Sequence, residues 1–349
     1  MSYMIEIHGL SIYGKDENKQ TAMASTTKIM TAIVVLENCK DLSEIVTIDS
    51  KAAGTGGSRL GLKKDDKITV EGLLYGLLMR SGNDAAVALA EYIAGSKEEF
   101  AKLMNNKAHE LGLKNTNFVT PHGLDDPKHY TTAYELAQIT DYALENNKFA
   151  QIVKTQYATI SINGYSKELK NTNELLLGNI EGVYGVKTGF TNNAGRCLVT
   201  AVKRKNMDLI IVVLGADTRK DRAKDSLKLI DYIYQNYRVE TIEEQIQKQF
   251  DLWNEINKNR IYIYKGTKSI ELELGKIKYE KIITNKEITI EINSLNYLEA
   301  PVEKGTVIGN LIVKNGGESV ETIEIKTAHE IRRKGIFDYL EMFAKIITQ

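Results

Sequence analysis

Two polar residues near the start of the chain, Ser25 and Lys28, have the types and the spacing that acyl transfer needs. They stand three residues apart at the beginning of a helix-patterned segment, so their side chains lie on one face and can hydrogen-bond. A serine hydroxyl becomes a strong nucleophile when a neighbouring base takes its proton. A lysine can be that base only if burial or another cation lowers its pKa well below about 10.4. The pair therefore predicts a serine nucleophile with a lysine base, provided that the fold buries the amine.

A second polar motif, Ser81-Gly82-Asn83, falls in the break between two helix-patterned segments. Glycine lets the backbone turn sharply there, so that both polar side chains project into a cleft. Ser81 can then relay a proton between the lysine, the nucleophile and a leaving amine. Asn83 can bind a substrate amide through its donor and its acceptor. Taken alone, this motif is more typical of an asparagine-capped loop, and it predicts a site only in combination.

A third motif, Lys187-Thr188-Gly189, lies on a strand-patterned stretch over residues 183–190. Its lysine and threonine offer a positive charge and a hydroxyl to a substrate carboxylate. Its glycine allows a peptide backbone to lie closely alongside the strand. The three motifs, in this order and in these contexts, predict one cleft with a nucleophile, a proton relay and a carboxylate-binding strand.

The elements that must position these motifs form an α+β pattern. A hairpin over residues 3–13, with His8-Gly9-Leu10 in its middle, precedes a helix over 25–37. The order of elements favours an antiparallel sheet built from both ends of this part of the chain and faced by a helical cluster. Further helices are predicted at 71–79, 84–94, 97–111, 131–144 and 220–237, and strands at 157–162, 184–188, 196–202 and 209–214.

The composition changes after residue 238. Residues 239–327 are mostly short alternating runs separated by Gly or Asn turns, which predicts a small all-β sandwich. Residues 328–349 carry apolar side chains at helical spacing after a basic entry, which predicts an amphipathic tail helix. Such a helix can make peripheral contact with a membrane, and the alternative is that its apolar stripe packs on the protein. We therefore predict a catalytic domain over 1–238, a β-sandwich domain over 239–327 and a tail helix over 328–349.

Bulk properties exclude several classes of protein. The 349 residues suit two domains, and 46 basic residues balance 46 acidic ones, so no global field would attract nucleic acid. The histidines and cysteines have no metal-ligand spacing, so we predict no metal and no cofactor. The chain has no apolar run of about 18 residues, the length that a membrane-spanning helix needs. No secretory signal is recognised at Met1, so the chain is either a processed form of an exported protein or one that stays inside the cell.

In these motifs the chain resembles the low-molecular-mass penicillin-binding proteins that act as serine-type D-alanyl-D-alanine carboxypeptidases. The resemblance extends over nearly the whole chain and implies a β-lactamase/transpeptidase-like domain, a small β sandwich and a short amphipathic helix. It implies removal of the terminal D-alanine from peptidoglycan stem pentapeptides, acylation by β-lactam antibiotics, and a location at the outer face of the bacterial cytoplasmic membrane. The matching segments are 23–32, 78–85, 111–116, 120–125, 185–191, 194–195 and 300–302.

The resemblance also implies roles for the matching positions. Ser25 would be the nucleophile and Lys28 its general base, and the backbone N–H groups of Ser25 and Phe190 would form the oxyanion hole. Ser81 and Asn83 would relay protons and position the substrate. The substrate-binding positions, which would hold the terminal carboxylate or lie beside it, are Lys187, Thr188, Gly189, Phe190 and Arg222.

Two other activities remain open on the same scaffold. A serine β-lactamase needs a group that activates the deacylating water, which class A enzymes supply with a glutamate between the second and third motifs. Glu135, Glu145, Glu168 and Glu174 lie there, and none has the sequence context of the lactamase loop. A D,D-endopeptidase would use the same site, although the related endopeptidases tend to lack the β domain. A non-enzymatic wall-binding protein is disfavoured because all three catalytic motifs are intact.

Overall fold

The computed structural model describes residues 1–7, 10–204, 207–278 and 281–347. It separates into two compact units, Met1–Gln235 and Asn236–Gln349, each with its own hydrophobic core. The predicted division at residues 238 and 327 stays a prediction. The predicted hairpin turn at His8-Gly9 lies outside the described residues.

The first unit is built around an antiparallel sheet to which both ends of the unit contribute, as predicted. In this sheet of five strands, the N-terminal hairpin pairs with the strand Met207–Ala216. The strand that carries the third motif, Val183–Thr191, lies at the opposite edge of the sheet. The two central strands are buried on both faces, and they therefore read as near-continuous apolar runs. The strands are β1 (Ser2–Ile7), β2 (Leu10–Lys15), β3 (Ile45–Thr47), β4 (Lys67–Thr69), β5 (Tyr157–Ile162), β6 (Tyr165–Lys170), β7 (Val183–Thr191), β8 (Gly195–Arg204) and β9 (Met207–Ala216), and the five-stranded order is β2-β1-β9-β8-β7.

A cluster of helices packs beside this sheet. One of its buried helices, α1, begins within the first motif. A 3-10 turn over Ala24–Thr27 leads directly into α1, whose first eight residues are all buried. A helix that is apolar on every side belongs inside a helical cluster. The helices of this unit are α1 (Lys28–Asn38), α2 (Ser50–Gly54), α3 (Val70–Met79), α4 (Asn83–Ala94), α5 (Lys97–Glu110), α6 (Ala133–Glu145), α7 (Asn147–Val153), α8 (Glu174–Leu177) and α9 (Arg219–Asn236).

The second unit is rich in strands, as predicted, but it also contains a helix that the sequence analysis missed. Ile246 and Phe250 of this helix, α10 (Glu243–Asn257), are buried in the core of the unit. Together with Ile242 and Trp253 they follow helical spacing, a signal that the change in composition concealed. The strands are β10 (Arg238–Thr241), β11 (Tyr262–Tyr264), β12 (Leu272–Leu274), β13 (Lys281–Thr284), β14 (Ile288–Ser294), β15 (Tyr297–Glu299), β16 (Val307–Asn315) and β17 (Glu318–Thr327), with the largest sheet in the order β12-β17-β16-β14.

The tail forms a helix, α11 (Ile336–Ile347), whose apolar side chains are exposed. Phe337 is 84% exposed and Ile347 is 83% exposed. Among the described residues, no helix is both long enough and apolar enough to cross a membrane.

Candidate active site

The Ser25 hydroxyl and the Lys28 amine are in direct contact. Ser25 lies in the 3-10 turn and Lys28 begins α1, and the Nζ atom lies 2.9 Å from the Oγ atom. Lys28 is fully buried. Its Nζ atom also donates to the Oδ1 atom of Asn83 at 2.8 Å and to the carbonyl oxygen of His122 at 2.7 Å. Three oxygen atoms therefore fix the position of this amine.

Burial and a second lysine act together on the Lys28 amine. Burial, and after it the charge of Lys187, lower the pKa of Lys28 well below its usual value, against a smaller opposing effect of Asp84. Lys187 is itself fully buried, and burial together with Arg222 lowers its pKa to about 7. Lys187 thus disfavours a charge on Lys28, and Arg222 disfavours a charge on Lys187. A lysine base requires an amine that is buried or close to another cation. Lys28 meets both conditions.

The second motif contacts the first through Asn83 and reaches the cleft through Ser81. The Nδ2 group of Asn83 donates to the carbonyl oxygen of Gly56 at 2.7 Å, which leaves Oδ1 to face Lys28. Asn83 is the first residue of α4, and its side chain binds the lysine rather than capping the helix. Ser81 is buried and has a φ of +59°, in the left-handed region that non-glycine residues rarely occupy. This strained turn aims its hydroxyl into the cavity that Ser25 also lines.

The strand that carries the third motif lies close to Ser25 because position 189 is a glycine. A Cβ atom at Gly189 would lie 3.1 Å from the backbone nitrogen of Ser25, so a side chain there would push the strand away. β7 is an edge strand, and its unpaired edge can accept a peptide as an added strand. The Thr188 hydroxyl lies 2.9 Å from the hydroxyl of Thr172, and the Lys187 amine donates to the carbonyl oxygen of Thr188 at 2.9 Å.

These residues meet at a cleft of about 290 Å³. Six of the nine predicted site residues line this cleft. The other three, Lys28, Asn83 and Lys187, are buried directly behind the residues that line it. Arg222 is buried there, bound by the Glu174 carboxylate and by the carbonyl oxygen of Cys197. The sequence analysis did not predict four further lining residues, which come from separate segments and share no local signal. The cleft is lined by Ser25, Ser58, Ser81, Thr172, Thr188, Gly189, Phe190, Arg196, Arg219 and Arg222.

A larger cavity of about 480 Å³ lies elsewhere on the first unit. Asp141, Tyr184 and Asp208 line it, and the Tyr184 hydroxyl donates to Asp208 at 2.6 Å. No residue of the three motifs lines this cavity, so its greater volume does not make it the active site.

A serine hydroxyl held by a buried lysine beside an edge strand is the site of a serine acyl-transfer enzyme. A family model described as D-alanyl-D-alanine carboxypeptidase matches residues 6–218. A second model, described as the C-terminal domain of penicillin-binding protein 5, matches residues 262–333. The chain belongs to the D-alanyl-D-alanine carboxypeptidase family, a family of serine peptidases.

Similar proteins match over both units. The D-alanyl-D-alanine carboxypeptidase DacF of Bacillus subtilis (strain 168) is 34% identical over 343 residues, which are 95% of this chain and 85% of DacF. The crystal structure of the carboxypeptidase DacD from Francisella tularensis covers 95% of this chain and 94% of its own, with 25% identity and a TM-score of 0.77. Penicillin-binding protein 5 from Haemophilus influenzae covers 95% and 97%, with 30% identity and a TM-score of 0.72. The predicted family, fold class and enzyme class are confirmed.

The alternative activities are not favoured. Of the four glutamates that the sequence analysis considered for the lactamase role, two are engaged in structural contacts. Glu135 accepts hydrogen bonds from the backbone of residues 114 and 115 and from the hydroxyl of Thr116, and Glu174 binds Arg222. Glu145 and Glu168 are exposed. The match of the second unit to the penicillin-binding protein 5 domain argues against an endopeptidase that lacks it.

Proposed function

We propose that this D-alanyl-D-alanine carboxypeptidase forms its acyl-enzyme on Ser25, with Lys28 as the general base. The observation that supports this most directly is the 2.9 Å contact between their side chains in a buried setting. A neutral amine has two N–H groups, which match the oxygen atoms of Asn83 and His122. Its lone pair is then left for the Ser25 hydroxyl. The three contacts therefore suit an amine that takes the serine proton.

In the proposed reaction, the Ser25 oxygen attacks the carbonyl carbon of the penultimate D-alanine while its proton passes to Lys28. The C–N bond then breaks, and the leaving amine of the terminal D-alanine takes up a proton through Ser81. Water next adds to the ester, which releases the shortened stem peptide and restores the serine hydroxyl. A β-lactam reacts through the same attack. Its ring opens, but the leaving nitrogen stays attached to the acyl group.

The substrate carboxylate would bind at Lys187 and Thr188, with Arg222 lining the same cleft. Burial, and after it the charge of Arg222, lower the pKa of Lys187, so its ammonium form is disfavoured in the free enzyme. An incoming carboxylate supplies a negative partner for it. The backbone N–H groups of Ser25 and Phe190 would form the oxyanion hole, which the close approach of Gly189 to Ser25 supports. This arrangement suits a peptide that ends in D-alanyl-D-alanine, such as the peptidoglycan stem pentapeptide.

Mass spectrometry after reaction with benzylpenicillin tests the proposed nucleophile. The intact protein should gain the mass of one penicillin, and peptide mapping should place the adduct on the segment that contains Ser25. The Ser25→Ala variant should lose both the adduct and D-alanine release from a pentapeptide. Ser43→Ala, which changes an exposed serine, is the matched control. An adduct on any other segment would show that the nucleophile lies elsewhere.

The exposed apolar face of α11 supports peripheral contact with a membrane. With a stem-peptide substrate, such contact suits a location at the outer face of the bacterial cytoplasmic membrane. Flotation with phospholipid vesicles compares the full chain with a chain that ends at Lys334. The full chain should float and the shortened chain should not, and equal flotation of the two would contradict the proposed contact.

A further inference from the structure

The charges that line the cleft are unbalanced. Three of its ten lining residues are arginines, and none is an aspartate or a glutamate. Arg222 binds the carboxylate of Glu174, and Arg219 lies 3.8 Å from the other oxygen of the same group. Within the described ranges, Arg196 forms no ion pair. Its guanidinium instead lies 3.5 Å above the centre of the Phe190 ring.

The stacking of Arg196 on Phe190 follows from their places in the sheet. The two residues are directly opposite each other on β7 and β8, so their side chains share one face of the sheet. Thr188 is two residues before Phe190 and points to that same face. The aromatic ring holds the guanidinium plane in place while leaving its N–H groups free. The planar guanidinium of Arg196 therefore lies on the same face as Thr188, the residue that would contact the substrate carboxylate.

One carboxylate does not balance this cleft. Lys187, Arg196, Arg219 and Arg222 carry positive groups in or directly behind it. In the part of the chain that the structure describes, their ion pairs are those of Arg219 and Arg222 with Glu174. The C-terminal carboxylate of a peptide, bound at Lys187 as proposed above, still leaves Arg196 without an anionic partner. A second carboxylate on the same part of the substrate would supply one through a charge-assisted bidentate contact.

We propose that Arg196, positioned by Phe190, forms a second anion subsite that selects substrates whose leaving D-amino acid bears a carboxylate in its side chain. This inference rests on the proposed function, because it takes the Thr188 side of the cleft as the leaving-group side. The reaction is unchanged. Ser25 attacks the same carbonyl, the same C–N bond breaks, and the acidic D-amino acid leaves as its amine.

Three synthetic peptides that differ only in their last residue test the subsite. They are diacetyl-L-lysyl-D-alanine extended by D-glutamate, by D-glutamine or by D-alanine. D-Glutamate and D-glutamine have nearly the same shape and differ by one charge. The unmodified enzyme should show a kcat/KM for the D-glutamate peptide about tenfold or more above that for the D-glutamine peptide. The difference should lie mainly in KM, because the contact is present before and during the reaction.

Arg196→Gln should bring that ratio close to one. Arg204→Gln is the matched control, since Arg204 lies on the same strand and its guanidinium also lies over an aromatic ring, that of Tyr234, away from the cleft. The control should keep the ratio. Labelling by fluorescent penicillin checks that each variant is folded.

A ratio near one in the unmodified enzyme would overturn the subsite, and so would a ratio that survives in Arg196→Gln. In both cases release of D-alanine from the third peptide would leave the proposed function standing. Absence of that release from the unmodified enzyme would overturn the proposed function and the subsite with it.

Discussion

The side chains of Lys28 and Asn83 are 55 residues apart in the chain and meet at 2.8 Å between Nζ and Oδ1. Because the other side of the Asn83 amide donates to Gly56, its oxygen cannot turn away from the lysine. The second motif thereby orients the amine of the first toward Ser25. The proposed catalytic pair therefore depends on a second helix, α4, and on groups outside residues 25–28.

Replacement of the lysine tests its role as base. We expect Lys28→Met, which keeps the length of the side chain and removes the amine, to lower the rate of acylation by fluorescent penicillin roughly 10²- to 10⁴-fold. The thermal unfolding temperature serves as the control for folding. A rate within tenfold of the unmodified enzyme would assign the base to another group.

The pH dependence of kcat/KM tests the carboxylate-binding role of Lys187. Its pKa is lowered to about 7, so its ammonium is lost as the pH rises through that value in the free enzyme. A carboxylate needs the ammonium, and kcat/KM for a D-alanyl-D-alanine peptide should fall on the alkaline side. Lys187→Arg, which stays protonated, should move that fall to higher pH. An alkaline fall at the same pH in both enzymes would contradict this assignment.

A buried histidine, His129, supports the turn that contains Ser25. The Nδ1 atom of His129 accepts the backbone N–H of Val119 at 3.0 Å, so its proton must be on Nε2. That N–H donates at 2.8 Å to the hydroxyl of Thr27, which in turn donates at 2.7 Å to the carbonyl oxygen of Ala24. Protonation of Nδ1 would make it a donor that faces the N–H of Val119, which is also a donor. The hydrogen bond between His129 and Val119 would then be lost.

The first unit should therefore lose stability in mild acid. Burial lowers the pKa of His129 from 6.5 to about 4, so the unfolded chain binds more protons between these values. The stabilisation is complete above pH 6.5 and is lost as the pH falls toward 4. We expect the free energy of unfolding to be about 2 kcal/mol lower at pH 5 than at pH 7 from this group alone. His122, whose pKa burial lowers to about 3, acts in the same direction.

Hydrogen exchange of the α1 amides at the two pH values measures this loss. Trp253, the single tryptophan of the chain, lies in the second unit, so its fluorescence would report on the wrong part of the protein. His129→Gln should flatten the pH dependence, and His109→Gln, at an exposed position, should leave it unchanged. A dependence that persists in His129→Gln would assign it to other groups.

Gly123 is predicted to be irreplaceable because the turn that contains Ser25 packs against it. Its φ is +83°, and a Cβ atom there would lie 1.9 Å from the carbonyl oxygen of Ala24. Gly123→Ala should lower the free energy of unfolding by at least about 2 kcal/mol and slow acylation by penicillin. Gly54→Ala adds a methyl group where no other atom lies within 4 Å, and it should change neither quantity. Equal thermal unfolding and acylation in the two variants would contradict the packing argument.

Much of this protein was predictable from its sequence because the signals are local. The spacing of Ser25 and Lys28 places them together within one turn, whatever surrounds them. Short runs of apolar residues predict β7, β8 and β9 close to where they are observed. The helix α10 was missed, although its spacing was present, because it follows a change in composition that favours strands.

Only the tertiary structure decided the charge state of the site residues and which other side chains lie in the cleft. The pKa of Lys28 depends on burial and on Lys187, which is remote in the chain. The contact of Arg222 with Glu174 and the place of Arg196 in the cleft join segments that no local pattern relates. Electrostatic interactions depend on distance in space and on the exclusion of water, and both are set by packing rather than by order along the chain.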